Sequence, residues 1–558
     1  MAAPTTEPLL SSPTTHSTRL PSKALLLTLS LATLMCLAAF VTIQLTTTTT
    51  TTTTTMNPPL QPSDLCAKSP NPTSCHAIVS QAMLASTGNL HPTPVQIFRS
   101  LLHNSLAQLD AAAASAADIH PRLINEPKQK SALADCMQLL ELSRDRIVSS
   151  GDATRSDART WMSAVLTNHA TCLDGLDGVA KSAMRAHLEY LKSSASASLA
   201  VLHAVPSSVQ DNTDAVVKPV ATFPSWLSHR DRKLLEMASP NAIQANAVVA
   251  NDGSGMFKTV QAAVDSVPNG NKNRYVIYVK KGVYKENVSL GNKKTSVMIV
   301  GDGMDATVIT GSLNVKFHIP PWPFNARAAA VGDGLILQDL KIENTAGPQK
   351  HQAVALRVGA DRSVINRCRL DGYQDTLYAH SLRQFYRDSF ISGTVDFIFG
   401  NAAVVFQNCS LIARRPMDNQ QNLVTAQGRE DPNQNTGTSI QNCQVVPAAD
   451  LIPVKGSIPS YLGRPWKAYS RTVVMQSYID NHINSKGWLE WDGEFALKTL
   501  FYGEYQNRGP GAGTGGRVNW PGYHVITDAN TAKAFTVASL IQGGSWLKET
   551  GVAFAEGL

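Results

Sequence analysis

The stretch from Ile336 to Val445 carries one short strand-like unit five times: ILQDLKI at 336–342, VINRCRL at 364–370, FYRDSFI at 385–391, VFQNCSL at 405–411 and SIQNCQV at 439–445. Successive units begin 28, 21, 20 and 34 residues apart. Units this short cannot bury their faces singly, so they are expected to stack into a solenoid, most simply a parallel β-helix with one unit per coil. A β-sandwich is the alternative. It would need hairpin turns of the Asn-Gly type between neighbouring strands, and these are scarce here.

Registering the units places Leu340, Cys368, Ser389, Cys409 and Cys443 at one equivalent position. Asp375 lies seven residues beyond Cys368 and Asp396 seven beyond Ser389, so the two aspartates fall at matching positions in adjacent coils. Parallel strands stack about 4.8 Å apart, which puts the two carboxylates within roughly 5 Å. Carboxylates that close do not both ionise readily: one pKa is expected to rise and the other to fall, giving a proton donor beside a nucleophile. Taken singly, each aspartate also suits a turn residue bonded to its own backbone.

The preceding sequence has a different character. From Leu65 to about Ala204 it is rich in Ala, Leu and Ser, with Ala132, Leu133, Cys136, Leu139, Leu140 and Leu142 at helical spacing, and an antiparallel helical bundle is the simplest reading. Four cysteines in this part allow three pairings; Cys66 with Cys75 and Cys136 with Cys172 is the expected one in an oxidising compartment. Val205 to Ser228 is rich in Pro, Ser and Val with no clear period and reads as a linker into the basic HRDRKLL at 229–235. Before the bundle, ten threonines at 46–55 read as an extended stalk.

Ala24 to Leu45 holds 22 residues without a charge and follows Arg19 and Lys23. At about 1.5 Å per residue this covers a bilayer core of about 30 Å, so a transmembrane signal anchor is expected at 24–45 behind a cytoplasmic tail at 1–23, with a cleaved signal peptide as the alternative. Sequons at Asn287 and Asn408 agree with a lumenal destination as glycosylation sites.

The 558 residues include 49 Lys plus Arg against 42 Asp plus Glu, a balance that favours polyanionic partners without saying which. From Glu236 onward the count is 31 against 26. No cofactor is expected: His351 and His380 belong to different units, no cysteine pair has zinc-finger spacing, and GDG at 301–303 reads as a turn.

Residues 66–75 (CAKSPNPTSC) and 166–175 (LTNHATCLDG) resemble the invertase and pectin methylesterase inhibitor family. After Glu236, NAVVANDGSGMFKTVQAAV at 246–264, GVYKE at 282–286, QAVALR at 352–357, GYQDTLYAH at 372–380, GTVDFIFGN at 393–401 and LGRPW at 462–466 resemble the plant pectin methylesterases, in order. The resemblance implies a right-handed parallel β-helix at 236–558, preceded by the inhibitor-like four-helix bundle at 61–205, a linker at 206–235 and a stalk at 46–60. It implies a processing site at Arg232, Lys233, Leu234 and Leu235, and a mature enzyme in the extracellular cell wall, reached through the secretory pathway from a membrane-anchored precursor.

Carried over residue by residue, it implies Asp396 as nucleophile on the methyl ester of galacturonate in pectin and Asp375 as acid, then base. Gln352 and Gln374 would donate to the oxyanion, Arg464 would orient Asp396, and Trp466 would offer a flat face to a sugar ring. The expected partners are methyl-esterified homogalacturonan and, within the chain, the inhibitor-like bundle, which would restrain activity until cleaved; nucleic acid is not expected. A β-helical polygalacturonase is the alternative, since carboxylates about 5 Å apart also suit a retaining glycosidase.

The chain departs from the family twice. Many members carry a cysteine where this chain has Ser389, bridged to the equivalent of Cys409. Cys409 is expected to remain a buried thiol or to find Cys368 or Cys443, neither of which is expected on an immediately neighbouring unit unless the coil order differs. Pro323 stands where a substrate-contacting threonine is usual.

Overall fold

Three parallel sheets of eleven, seven and eight strands wind around one another, and each turn of the chain adds a strand to each sheet. The structure, a computed structural model, describes residues 60–86, 92–205, 244–314 and 328–558. The repeated units lie in one sheet in the expected order: Val364 pairs with Ile336 and Phe385, and Val405 with Phe385 and Ser439. Each unit then turns a corner through a left-handed residue, at Asp339 (φ 53°), Arg367 (49°), Asp388 (49°), Asn408 (56°) and Asn442 (52°). Non-glycine residues adopt this conformation at a cost, so its recurrence at one position shows the stacked coils imposing it.

The cost is offset beside the corner. A ladder of side-chain amides runs from coil to coil, with Asn366 Nδ2 donating to Gln338 Oε1 (3.0 Å), Gln407 Nε2 to Gln441 Oε1 (3.0 Å) and Gln441 Nε2 to Gln476 Oε1 (3.1 Å). Inside, aliphatic side chains and stacked rings such as Tyr386 on Phe406 (centroids 4.6 Å apart) fill the core. The outer face of the eleven-stranded sheet is also apolar. It is covered by the C-terminal segment, where Val537, Leu540, Ile541 and Trp546 pack on Met298, Ile336, Val364, Phe385 and Val405. Those strands are therefore buried on both faces.

The N-terminal part is helical: α1 (Pro62–Cys66), α2 (Pro72–Ala85), α3 (Pro94–Ile119), α4 (Pro127–Ser150), α5 (Arg155–Gly175) and α6 (Gly178–Leu202). Four of them open on proline, whose missing N–H costs nothing in a first turn. Disulfides join Cys66 to Cys75 and Cys136 to Cys172, with Cα atoms 5.7 and 4.8 Å apart. α5 is unusual in being buried all round from Met162 through Cys172. One stripe faces the bundle; Ser163, Thr167 and Thr171 on another face the β-helix, and residues 60–558 form one compact unit.

Two expectations are corrected. Among the described residues no helix is long and apolar enough to cross a membrane; the 26-residue α3, for one, is interrupted by Arg99, His103, Asn104, Gln108 and Asp110. The transmembrane anchor expected at 24–45 lies outside the described residues, the described architecture contains no membrane-spanning helix, and the membrane as a partner and the membrane-anchored precursor are not carried further. The tail at 1–23, the threonine run, the processing residues 232–235 and Pro323 also lie outside the described residues.

The second correction concerns the cysteines. Cys409 and Cys443 lie in adjacent coils, since Ser410 pairs with Gln444, and Cys409 N lies 3.3 Å from Cys443 Sγ. The 34-residue offset between the units reflects a long excursion, not an extra coil. Both are free buried thiols, as is Cys368, whose thiol burial pushes up to about 12.

Ser389 cannot bridge to Cys409 on the following coil, and its hydroxyl is bonded to the preceding coil instead. Its buried hydroxyl accepts from Cys368 N (3.1 Å) on the preceding coil and donates to Arg387 O (2.9 Å). Ser389→Ala leaves the Cys368 amide without its partner, so the thermal unfolding midpoint should fall by the equivalent of about 1–3 kcal/mol. An unchanged midpoint in a differential scanning calorimetry trace would show that the hydroxyl is not what joins these coils.

Candidate active site

Asp375 and Asp396 each stand two residues before a strand of the seven-stranded sheet, Leu377–Ala379 and Ile398–Gly400, and Leu377 pairs with Ile398. The two aspartates therefore occupy the same place in adjacent coils, both in left-handed conformation (φ 62° and 50°), with Asp375 N donating to Val395 O at 3.0 Å. They are 4% and 6% exposed. Local sequence permits this corner because Asp tolerates the left-handed region better than most residues. Just beyond, Gly400 (φ 127°) passes so close to the preceding coil that a Cβ there would lie 2.0 Å from Ala379 O.

Arg464 comes from the strand Ser460–Pro465, two coils beyond Asp396. Its row on the outer face of the sheet runs Arg357, Tyr378, Phe399, Ala426, Arg464. Because the intervening side chain is only the Ala426 methyl, the guanidinium reaches back across it. Arg464 Nε donates to Asp396 Oδ1 (2.9 Å) and Nη2 to Oδ2 (2.6 Å), a bidentate grip. The Trp491 ring lies 4.3 Å under the guanidinium.

Burial is the largest influence on the Asp396 carboxyl and pushes its pKa up; the hydrogen bonds and charge of Arg464 pull against it, and the net direction is upward. Arg464 in turn is raised, with burial opposed by Asp396 and also by the charge of Asp375. The pair is thus held together in a site where either charge alone would be costly.

Gln374 adjoins Asp375, and its buried Oε1 has no hydrogen-bond partner among the described residues. Gln352, half-buried, precedes the strand Leu356–Val358, which pairs with that of Asp375. Trp466, two residues past Arg464, stands edge-on to Phe399 (6.0 Å between centroids) and lies against Gly428, where a Cβ would come within 2.8 Å of its ring. His351 and His380 stay apart in different coils, and no group of acidic, His or Cys side chains among the described residues could hold a metal ion. Asn287 and Asn408 are exposed.

Two residues that the sequence reading passed over belong to the site. Tyr378 and Phe399 stack nearly parallel, 4.3 Å apart, and form an aromatic wall beside the carboxylates. Each lies three residues after its aspartate, so the register that aligned Asp375 with Asp396 also aligned these rings.

The bundle closes over this wall. Thr171 Oγ1 lies 3.0 Å from His380 Nε2 and 3.4 Å from the Tyr378 hydroxyl, Thr167 Oγ1 accepts from Asn401 Nδ2 (2.8 Å), and Asp174 accepts from Lys467 Nζ (2.7 Å), next to Trp466. All three bundle residues sit in the 166–175 segment. Burial keeps His380 neutral by driving its pKa well below the ordinary value, with Arg357 acting in the same sense.

Comparison with known proteins places both parts. The Pectinesterase family matches residues 246–544, and the plant invertase/pectin methylesterase inhibitor family matches 61–201. Pectinesterase 2.2 of Solanum lycopersicum is 54% identical over 510 residues, covering 89% of this chain and 90% of that protein. Pectinesterase/pectinesterase inhibitor 18 of Arabidopsis thaliana is 49% identical over 566 residues, covering 99% of each chain. The structure of pectin methylesterase from carrot matches with a TM-score of 0.56 and 57% identity, over 57% of this chain and 99% of that one. With more than half its length matched and a relative at 49% identity end to end, the chain belongs to the pectinesterase family and is a carboxylic ester hydrolase carrying an inhibitor-family bundle at its N-terminal side.

Proposed function

We propose that this enzyme hydrolyses the methyl esters of galacturonate units in cell-wall pectin, with Asp396 as nucleophile and Asp375 as acid and then base. The observation that carries the reading is the bidentate grip of Arg464 on Asp396 at a corner where Asp375 stacks one coil away. Arg464 aims the Asp396 carboxylate and keeps it available as an anion despite its burial. Asp396 attacks the ester carbonyl carbon, and the amides of Gln352 and Gln374 stabilise the tetrahedral oxyanion, an effect of about 2.7–4 kcal/mol per donor. Protonated Asp375 gives its proton to the departing methoxide, leaving methanol and an acyl anhydride on Asp396. Asp375, now a carboxylate, takes a proton from water as that water attacks the anhydride, which releases the galacturonic acid unit and restores both side chains.

Tyr378, Phe399 and Trp466 supply apolar faces for sugar rings on the same outer face of the sheet. In the full chain this wall is occupied by Thr171 and Asp174 of the bundle, which supports a restrained precursor freed by cleavage after Arg232-Lys233-Leu234-Leu235.

The cleaved chain should release methanol from methyl-esterified pectin without shortening it, and Asp396→Ala should lower that rate by about 10⁴ or more. Chain shortening in a gel-filtration assay would point to glycoside hydrolysis instead.

The bundle is held partly by Arg146, which donates from both terminal nitrogens to Asp333 on the β-helix. Arg146→Ala leaves Asp333 without this partner and should raise methanol release by the uncleaved chain by about tenfold or more, with no effect once the bundle is cut away. Equal rates for uncleaved wild type and variant would separate docking from restraint.

Asp135 of α4 gives the restraint a pH dependence. Burial against the β-helix raises its pKa from 3.8 to about 7, with the charge of Arg357 only partly offsetting this. A carboxyl whose pKa is higher docked than free takes up a proton on docking, so docking strengthens as pH falls from about 7 towards 4. The ratio of uncleaved to cleaved activity should drop across this window, and Asp135→Asn should keep the ratio low at pH 7. A ratio independent of pH would rule the group out as the cause.

A further inference from the structure

Where the start of α5 meets the far end of the β-helix, the two bodies enclose a cavity of about 520 Å³. Its charged lining is entirely basic: Arg155 and Arg159 from α5, Arg471 from the strand Arg471–Met475, and Lys533 from the C-terminal segment. Asn435 and Asn530 add amides. Arg159, Arg471 and Lys533 make no ion pair among the described residues, although 19 such pairs occur elsewhere in the structure. Each guanidinium is anchored through its Nε to a backbone carbonyl: Arg155 to Leu202 (2.9 Å), Arg159 to Asn433 (2.9 Å) and Arg471 to Thr436 (2.7 Å). The terminal nitrogens of Arg159 and Arg471 donate no hydrogen bond among the described residues.

For Arg159 and Arg471 the arrangement is electrostatically unfavourable as it stands. Arg155 opens α5 and Arg159 follows one turn later, both at the positive end of a 21-residue helix where cations are disfavoured. Burial and the neighbouring Arg429 and Arg159 drive the Arg471 pKa well below its ordinary value, and burial and Arg155 lower that of Arg159. Asp431 opposes the shift at Arg159 from outside the cavity lining, where it accepts a hydrogen bond from Ser196, and Asp528 is the acidic group that interacts with Lys533. Cations from two separate bodies thus repel across the seam that holds the bundle down.

We propose that this cavity binds a short anionic oligosaccharide bearing several carboxylates, and that the bound ligand bridges the bundle to the β-helix. The volume has room for more than ten waters at about 30 Å³ each, far more than one inorganic oxyanion fills. The amides of Asn435 and Asn530 and the hydroxyls of Ser156 and Ser539 suit sugar hydroxyls between the carboxylates. Resting on the esterase reading above, the ligand class is the reaction's own product, demethylated galacturonan, which would cancel the repulsion and hold the uncleaved enzyme closed.

Titration calorimetry of the full uncleaved chain tests this with trigalacturonate, its trimethyl ester and inorganic phosphate as probes. Trigalacturonate should bind at least tenfold tighter than either other probe, equally to wild type and to Asp396→Ala. The double variant Arg159→Gln, Lys533→Gln should bind it at least tenfold more weakly, and Lys533→Gln alone, at an exposed position, about threefold more weakly. Phosphate binding as tight as trigalacturonate, or unchanged affinity in the double variant, overturns the proposal. So does loss of binding in Asp396→Ala alone, which would place the ligand in the catalytic cleft. A cleaved chain that releases no methanol while the uncleaved chain still binds trigalacturonate at these residues defeats the esterase reading and leaves this site standing.

Discussion

Everything at the corner that holds Asp375 and Asp396 depends on the spacing between parallel coils. A strand spacing of about 4.8 Å is a property of backbone hydrogen bonding, and the sheets deliver it without help from any particular side chain. Once the coils are in register, every position along a coil acquires a neighbour above and below. The amide ladder beside Gln407, the stacked Tyr386 and Phe406, the stacked Tyr378 and Phe399, and the aspartates 375 and 396 are four uses of this single constraint. Two buried carboxylates on adjacent coils are costly without a counter-charge. Here the scaffold holds them, and a cation from two coils away makes the arrangement tolerable.

Docking of the bundle brings buried charge to the seam. Arg383, 1% exposed, donates to Asp361 through Nε and Nη2, and also pairs with Asp157 of α5 at 2.7 Å, while Trp161 donates to Asp361 at 3.1 Å. Asp361 is held well below the usual carboxylate range by Arg383 and Arg146, against the opposing effect of burial. Such a network contributes little net stability after desolvation, but any displaced register would strand a charge. It therefore fixes where the bundle sits, and that position puts Thr171 and Asp174 on the aromatic wall.

The seven-residue spacing between each unit and its aspartate was legible because coils repeat their backbone path, and so were the helical bundle and both sets of half-cystines. Tyr378 and Phe399 were equally legible by that logic but went unread, since an aromatic three residues after an aspartate looks like an ordinary strand residue until the outward face is known. Cys409 lies beside Cys443, contrary to expectation, because the excursion at 414–421 lengthens one coil without adding another. The hydropathy of 24–45 carries no partner or contact information, and the described helices provide no membrane-crossing element.

Sequence by itself determined the family, the solenoid and the pairing of Asp375 with Asp396, because each rests on periodicity and local motif, which are one-dimensional properties. Only the tertiary structure decided that Arg464 grips Asp396 across Ala426, that the bundle lies over Tyr378 and Trp466, and that Arg155, Arg159, Arg471 and Lys533 share one cavity. Those juxtapositions join residues far apart in the chain, 68 positions in the case of Arg464 and Asp396. They are set by how two independently patterned bodies and successive coils pack, and no local spacing encodes that.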